Sequence, residues 1–256
     1  MNYGTSEWFE QQYSKVRIDP WGLSWRPSQK LRYIRTLELI QKISKPIRLV
    51  LDIGCGTGDF SALIKENVRG SRVVGIDFAE AAVHRARERH ADMEFETLSL
   101  EQIGRKWRDQ ADLVVCLEVL YYLSISDRSS ALESLSAALR PGGYAVFSSL
   151  IGAPPYFIPR TLKALVSTQF EVISMALVYA KGLSILEKLP LKIDHAVRNR
   201  LPALPFRVFT KRPKRSTAKN SDIVLTTIEK FLKSFGTKSL SHALILARKT
   251  SRETDA

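Results

Sequence analysis

The sequence predicts an α/β fold, a doubly wound parallel sheet with helices on both faces. Three observations predict it. Strand-like and helix-like segments follow one another in five β-then-α units between Arg48 and Ser167. The central strand candidates are near-continuous apolar runs, as strands covered on both faces require. The first strand also runs straight into a glycine-rich turn, and sheets of this kind take ligands beyond the carboxyl ends of their strands, where the strand order reverses.

The elements read as follows. Residues 1–25 are aromatic and irregular, with Tyr3, Trp8, Phe9, Tyr13, Trp21 and Trp25. Residues 28–44 read as a helix, because Leu31, Ile34, Leu37, Ile40 and Ile43 recur three apart on one drifting face. Arg48–Ile53 is an apolar strand, and Phe60–Val68 a helix. Arg72–Asp77 is a strand, Glu80–His90 a helix and Glu94–Leu98 a short strand. Ala111–Leu117 is rich in Val and Leu and reads as a strand. Ser126–Leu139 is a helix with Leu132, Leu135 and Leu139 on one face, ended by Pro141-Gly142-Gly143. Tyr144–Leu150 is a strand, Pro159–Ser167 a helix and Phe170–Tyr179 a strand. Ala243–Ala247 reads as the last strand.

Composition bounds the function. The chain has 256 residues, 45% hydrophobic and 25% charged, which excludes disordered, collagen-like and coiled-coil classes. Two cysteines, Cys55 and Cys116, are too few for a disulfide scaffold or a zinc module, so no metal is expected. Glu7, Glu10 and Asp19 interrupt the first twenty residues, so no secretory signal is expected. No apolar run is long enough to span a bilayer, and the expected compartment is the cytoplasm. The net charge of +13 is uneven. Residues 181–220 hold 11 Lys and Arg against 2 Asp and Glu, while residues 1–180 are nearly neutral. A basic segment on a neutral body suggests an insertion with its own anionic partner rather than a nucleic-acid binder.

The turn after the first strand reads Val50-Leu-Asp-Ile-Gly-Cys-Gly-Thr-Gly-Asp59. The dinucleotide fingerprint needs a glycine where Asp59 stands, and a carboxylate at that helix mouth repels a pyrophosphate. NAD, NADP and flavins are therefore not expected. A ligand with a nucleoside and an amino-acid tail fits better. Gly54 and Gly56 let the backbone approach it, and Asp52 is placed to receive its ammonium, directly or through water. Asp77 closes the second strand, 25 residues on, where a carboxylate can accept hydrogen bonds from ribose hydroxyls. Taken alone, Asp77 could equally be a turn or helix-capping aspartate.

Val50–Phe60, Val74–Phe78, Asp112–Leu123 and Leu139–Gly143 resemble, in order and spacing, the motifs of class I S-adenosylmethionine-dependent methyltransferases. The resemblance implies a Rossmann-like seven-stranded sheet with an antiparallel last strand, Phe170–Tyr179 and Ala243–Ala247 forming the final hairpin. It implies S-adenosyl-L-methionine as methyl donor, contacted by Asp52, Ile53, Gly54, Cys55, Gly56 and Gly58, and by Asp77 and Phe78. Ser99 stands where the family often bonds the adenine amino group through an acidic residue, and Leu100 would pack on the adenine; the alternative for Ser99 is a plain turn residue. Glu118 takes the position that commonly faces the donor's methionine part, or is a helix-start carboxylate. Asp19-Pro-Trp-Gly22 and Glu118–Leu123 resemble a narrower subgroup, nodulation protein S and its N-methyltransferase relatives.

The whole chain is expected to be a single domain: an N-terminal lid (1–45), a donor-binding core (46–180), a basic insertion (181–238) and the last strand (239–250). The lid segment Tyr13–Trp25, with Trp21, excludes water over the donor, or else packs on the sheet edge. Arg32 pairs with the donor carboxylate or is a solvated helix arginine. Tyr121 and Tyr122 stand at the pocket mouth, and only one of two adjacent residues can face inward. Of the four histidines, His195 in the insertion is the candidate base; His84 and His90 are expected in solvent. The expected acceptor is a small molecule, saccharide or lipid-linked amine or hydroxyl. Residues 181–238 are expected to form a mostly helical insertion that walls the acceptor site and rests on an anionic membrane surface through 181–219, or to cap the sheet with a solvated loop at Lys211–Lys219. An RNA methyltransferase is the alternative, but Leu117–Tyr121 lacks the Asn/Asp-Pro-Pro-Tyr/Phe signature of base amino methylation. A non-catalytic donor-binding protein is the other; the intact glycine turn argues against it.

Overall fold

The computed structural model describes residues 4–14, 19–22, 26–186 and 215–250. The chain divides into two compact units. One comprises Met1–Pro20, Arg35–Ala176 and Ala243–Ala256; the other Trp21–Ile34 and Leu177–His242.

Seven strands form one sheet: β1 Leu49–Ile53, β2 Arg72–Asp77, β3 Glu94–Thr97, β4 Ala111–Leu117, β5 Leu139–Leu150, β6 Phe170–Val178 and β7 His242–Lys249. Their order is β3-β2-β1-β4-β5-β7-β6. The first five pair in parallel, and the last strands are antiparallel, as expected. The helices are α1 Ser6–Ser14, α2 Pro27–Ile40, α3 Asp59–Asn67, α4 Glu80–Arg89, α5 Leu100–Lys106, α6 Ile125–Ala138, α7 Pro159–Val166, α8 Lys181–Leu186 and α9 Arg215–Lys233. Because β1 pairs with β2 on one side and β4 on the other, strand order reverses beside its carboxyl end. In register, Ile53 lies between Ile76 and Cys116, so the segments after β1, β2 and β4 emerge together.

The sheet is central because its strands are apolar on both faces. Every residue of β4 is buried, and Leu132 and Leu135 of α6 and Phe147 of β5 are among the largest fully buried side chains. At the amino end of the central strands, opposite the site, Asp112 joins three strands. Its Oδ2 accepts the Arg48 and Leu49 N–H groups at 2.7 and 2.8 Å, and its Oδ1 pairs with Arg140 Nε at 2.6 Å.

Several elements differ from the sequence reading. Pro141-Gly142-Gly143 does not end a helix; α6 stops at Ala138 and the tripeptide lies inside β5. Leu139 pairs with Ala111 and Tyr144 with Leu113, so Arg140–Gly143 form a bulge opposite Asp112. A bulge tolerates a proline without an N–H and a glycine at φ +71°, and this one delivers Arg140 to Asp112. The N-terminal stretch is not irregular throughout, since it contains α1, whose buried face is Phe9 and Tyr13. Helix α5 was hidden by its shortness; Ser99 and Gln102 close a capping box at its start.

In the second unit, the described part of the insertion is helical. Glu229 of α9 is buried and accepts the Tyr179 N–H at 3.1 Å, and Asp222 pairs with Lys30 at 2.9 Å. Pro190, Pro202 and Pro205 lie outside the described residues. Arg215–Lys219 is the first part of α9, as the helical reading of the insertion expects and the alternative reading of a loop there does not.

Candidate active site

The site is built where β1, β2 and β4 end. Gly54, Gly56 and Gly58 all take positive φ, +71°, +55° and +78°. Only glycine adopts three such residues in so short a turn without strain. Gly54 has a second constraint: a Cβ there would stand 2.5 Å from Val119 Cγ2, so the turn and the segment after β4 touch backbone to side chain. The Gly54 and Cys55 N–H groups both donate to the Ile76 carbonyl, at 2.8 and 3.1 Å, which fastens the turn to β2.

Asp77 holds the turn from the other side. Its Oδ2 accepts the Gly56 N–H at 2.9 Å and its Oδ1 the Ala79 N–H at 3.0 Å. The residue is 6% exposed. Burial raises the Asp77 carboxyl above the ordinary aspartate range, these backbone N–H groups pull it down, and the nearby Glu10 charge pushes it up further. The Phe78 N–H also acts on it, and since a carboxylate has about four acceptor positions, acceptor capacity remains. Phe78, next in chain, is 40% exposed beside it.

Asp52 and Ile53 are buried at the end of β1, and Asp52 Oδ2 accepts the Ser61 hydroxyl at 2.6 Å. The Cys55 thiol is buried, and its burial together with the Asp77 and Asp52 charges pushes its pKa well up, so it is an inert packing group. Asp59 is not the bare charge that the sequence suggested. Arg89 Nη2 pairs with it at 2.7 Å and the Thr57 hydroxyl donates to it at 2.6 Å. Gly58 packs on Phe95, whose Cζ is 2.6 Å from where a Cβ would be.

Glu118 has a left-handed backbone, φ +61°, uncommon for a residue with a side chain. That conformation turns its carboxylate onto β5, where it accepts the Ser148 hydroxyl at 2.6 Å and the Leu150 N–H at 3.0 Å. The chain then enters a 3-10 turn, Leu120–Tyr122. Tyr121 is buried and Tyr122 half-buried. The two rings lie 4.5 Å apart and join one aromatic chain. Tyr121 meets Tyr156 at 5.0 Å, Tyr122 meets Phe9 of α1 at 4.9 Å, and Phe9 meets Phe78 at 5.2 Å, all three edge to face.

Sequence reasoning missed Phe9 and Glu10. Glu10 accepts the Glu80 N–H on Oε1 at 2.5 Å and the Ala81 N–H on Oε2 at 3.1 Å. Helix α4 starts at Ala79, which has no capping side chain. An uncapped start was the signal that a cap arrives from elsewhere.

The other candidates are placed as follows: the Leu98 N–H donates to the Asp77 carbonyl at 3.1 Å, so Ser99 and Leu100 follow β3 directly where it pairs with the end of β2. Ser99 Oγ accepts the Gln102 N–H at 3.3 Å while Gln102 Oε1 accepts the Ser99 N–H at 2.8 Å, so the serine starts α5. Leu100 follows, half-buried. Trp21 and Arg32 belong to the second unit. Arg32 is buried, 5.0 Å over the Tyr33 ring, not solvated on a helix face. His84 is exposed, but His90 is half-buried, 6.3 Å from the Phe95 ring. His242 is buried, its Nδ1 3.0 Å from Ser241 Oγ. His195 lies outside the described residues. Among the described residues no group of His, Cys, Asp and Glu is arranged to hold a metal, and no helix is long and apolar enough to cross a membrane.

Residues 51–145 match the family described as a methyltransferase domain. The chain is 30% identical over 145 residues to the ubiquinone biosynthesis O-methyltransferase of Bordetella avium, covering 52% of this chain and 58% of that one. It thus spans somewhat over half the length of that curated relative. Among solved structures it resembles the N-methyltransferase NodS of Bradyrhizobium japonicum bound to S-adenosyl-L-homocysteine, with TM-score 0.62 and 18% identity over 96% of this chain and 98% of that one. It also resembles the 1,6-didemethyltoxoflavin-N1-methyltransferase of Burkholderia thailandensis, with TM-score 0.58 and 16% identity over 96% and 87% of the two chains.

Proposed function

We propose, from the premise that this chain carries a class I S-adenosylmethionine-dependent methyltransferase domain over residues 51–145, that it methylates an amine or hydroxyl of a small-molecule acceptor. The observation that carries the reading is Asp77, buried at the carboxyl end of β2 with acceptor capacity left after it has fastened the glycine turn.

The residues fit the donor. The remaining acceptor capacity of Asp77 suits the ribose hydroxyls. Phe78 and Leu100 supply apolar surface for adenine. The backbone of Gly54–Gly58, left without side chains at the glycines, admits the amino-acid part. Asp52 acts on that part through the turn it supports and through water, because its carboxylate lies beneath the turn on Ser61. Glu118, fixed on Ser148 and Leu150, borders the methionine end. When bound, the donor supplies a sulfonium methyl group.

The chain's own task is then alignment. Displacement at a methyl carbon needs the acceptor atom in line, and holding two reactants so can supply about 7–11 kcal/mol of the barrier. Tyr121 and Tyr122 position the acceptor, their rings locked by Tyr156 and Phe9. Helix α1 excludes water over Phe78 and Tyr122 as a lid. The curated relatives act at oxygen and the structural neighbours at nitrogen, so the reading covers both atoms. Saccharide and lipid-linked acceptors are the finer readings of the same site.

The test is transfer of isotope-labelled methyl from S-adenosylmethionine to a panel of phenols, amines and amino sugars. The reading expects labelled product with at least one acceptor class, and loss of product in Asp77→Ala. Donor binding without transfer to any acceptor would instead favour a non-catalytic donor-binding protein.

A further inference from the structure

Helix α9 carries an exposed apolar strip. Ile223 is 58% exposed and Phe231 65%, Val224 is exposed beside them, and Phe235, just past the helix end, is 56% exposed. Residues 223, 227 and 231 succeed one another at the four-residue spacing of a single helix face. The Phe231 and Phe235 rings meet edge to face at 5.2 Å. Single exposed apolar residues are ordinary, but a contacting aromatic pair aligned with two aliphatics is a patch.

The charges around the strip have one sign. Both acidic residues of α9 are engaged by its own unit: Asp222 pairs with Lys30, and Glu229 is buried on the Tyr179 N–H. Lys230, Lys233 and, just beyond, Lys238 are exposed, with Lys233 Nζ 6.0 Å from the Tyr179 ring. The preceding segment, residues 181–220, has 11 basic residues against 2 acidic ones.

We propose that this face of α9 docks on the surface of an anionic lipid bilayer, Phe231, Phe235 and Ile223 entering the acyl boundary while Lys230, Lys233 and Lys238 reach the headgroups. Charge complementarity selects this occupant. A second copy of the face would set lysines against lysines. A nucleic acid would satisfy the lysines but leave two phenylalanines and an isoleucine in water. A bilayer surface offers acyl carbon and phosphate within one helix width, the arrangement that interfacial helices use. The strip shares no residue with the donor site, and its occupancy does not depend on methyl transfer.

Co-sedimentation of the full chain with vesicles tests it, without donor or acceptor present. Vesicles of mixed phosphatidylglycerol and phosphatidylcholine should bind the protein, and pure phosphatidylcholine should bind it far less. Binding should weaken with salt. The double variant Phe231→Ser, Phe235→Ser should lose at least tenfold in partitioning, and Lys230→Gln about fivefold. These side chains are exposed, so far-UV circular dichroism should be unchanged. Wild-type partitioning by the double phenylalanine variant, or equal binding to both vesicle types, overturns the proposal. So does a concentration-dependent dimer that the double variant abolishes, with no vesicle binding; the face is then a contact between copies.

Discussion

Glu10 and Ala81 stand 71 residues apart in the chain, yet the Glu10 carboxylate accepts the Ala81 N–H at 3.1 Å and the preceding Glu80 N–H at 2.5 Å. The N-terminal helix therefore supplies the cap that α4 lacks. It does so close to Asp77, the residue to which donor binding is assigned by the proposed function.

Removing that cap should loosen α1. Replacing a capping residue costs about 0.5–2 kcal/mol. Glu10→Ala should lower the unfolding free energy by about that much, measured by urea titration. Glu10→Gln keeps one acceptor oxygen and should lose less. If α1 is the lid, release of S-adenosylhomocysteine in stopped flow should also quicken in both variants.

The same pair sets a pH dependence. Burial and the Glu10 charge hold the Asp77 carboxyl above the ordinary aspartate value of about 3.9. A raised acid contributes most to folding below its unfolded pKa, and that contribution fades as pH rises through the folded pKa. Donor binding has the opposite sign, because only the carboxylate accepts two ribose hydroxyls. Affinity for S-adenosylhomocysteine should therefore fall on acidification, starting at a higher pH than an ordinary aspartate would give. In Glu10→Gln the inflection should move down, and in Asp77→Asn this inflection should disappear. Calorimetry across pH reads all three.

Ser99 separates two roles. The capping box at α5 implies that Ser99→Ala costs about 1 kcal/mol of stability and leaves donor affinity within about twofold. Thermal unfolding and calorimetry on one sample check it. A tenfold loss of affinity with unchanged stability would return Ser99 to the adenine site.

The sheet was legible because its signals are local. Apolar runs mark β1, β2 and β4 whatever surrounds them, and Asp77 stands out because it closes the second of these runs 25 residues after Asp52 and the glycine turn. What was not legible is what the chain brings together from afar. Phe9 and Glu10 look like ordinary residues of an amphipathic stretch until the fold sets them against Phe78 and α4. The left-handed backbone that fixes Glu118 on Ser148, 30 residues on, has no local signal either. Pro141-Gly142-Gly143 misled for a related reason: the residues that end helices also make bulges.

Titration of S-adenosylhomocysteine into wild type, Asp77→Asn and Asp77→Ala tests the central claim most directly. Two hydrogen bonds to a charged group, each worth about 1.5–3 kcal/mol, predict saturable binding by wild type and at least a hundredfold loss in Asp77→Ala, with Asp77→Asn between them. Binding within twofold of wild type by a folded Asp77→Ala, or none by wild type, would contradict the account.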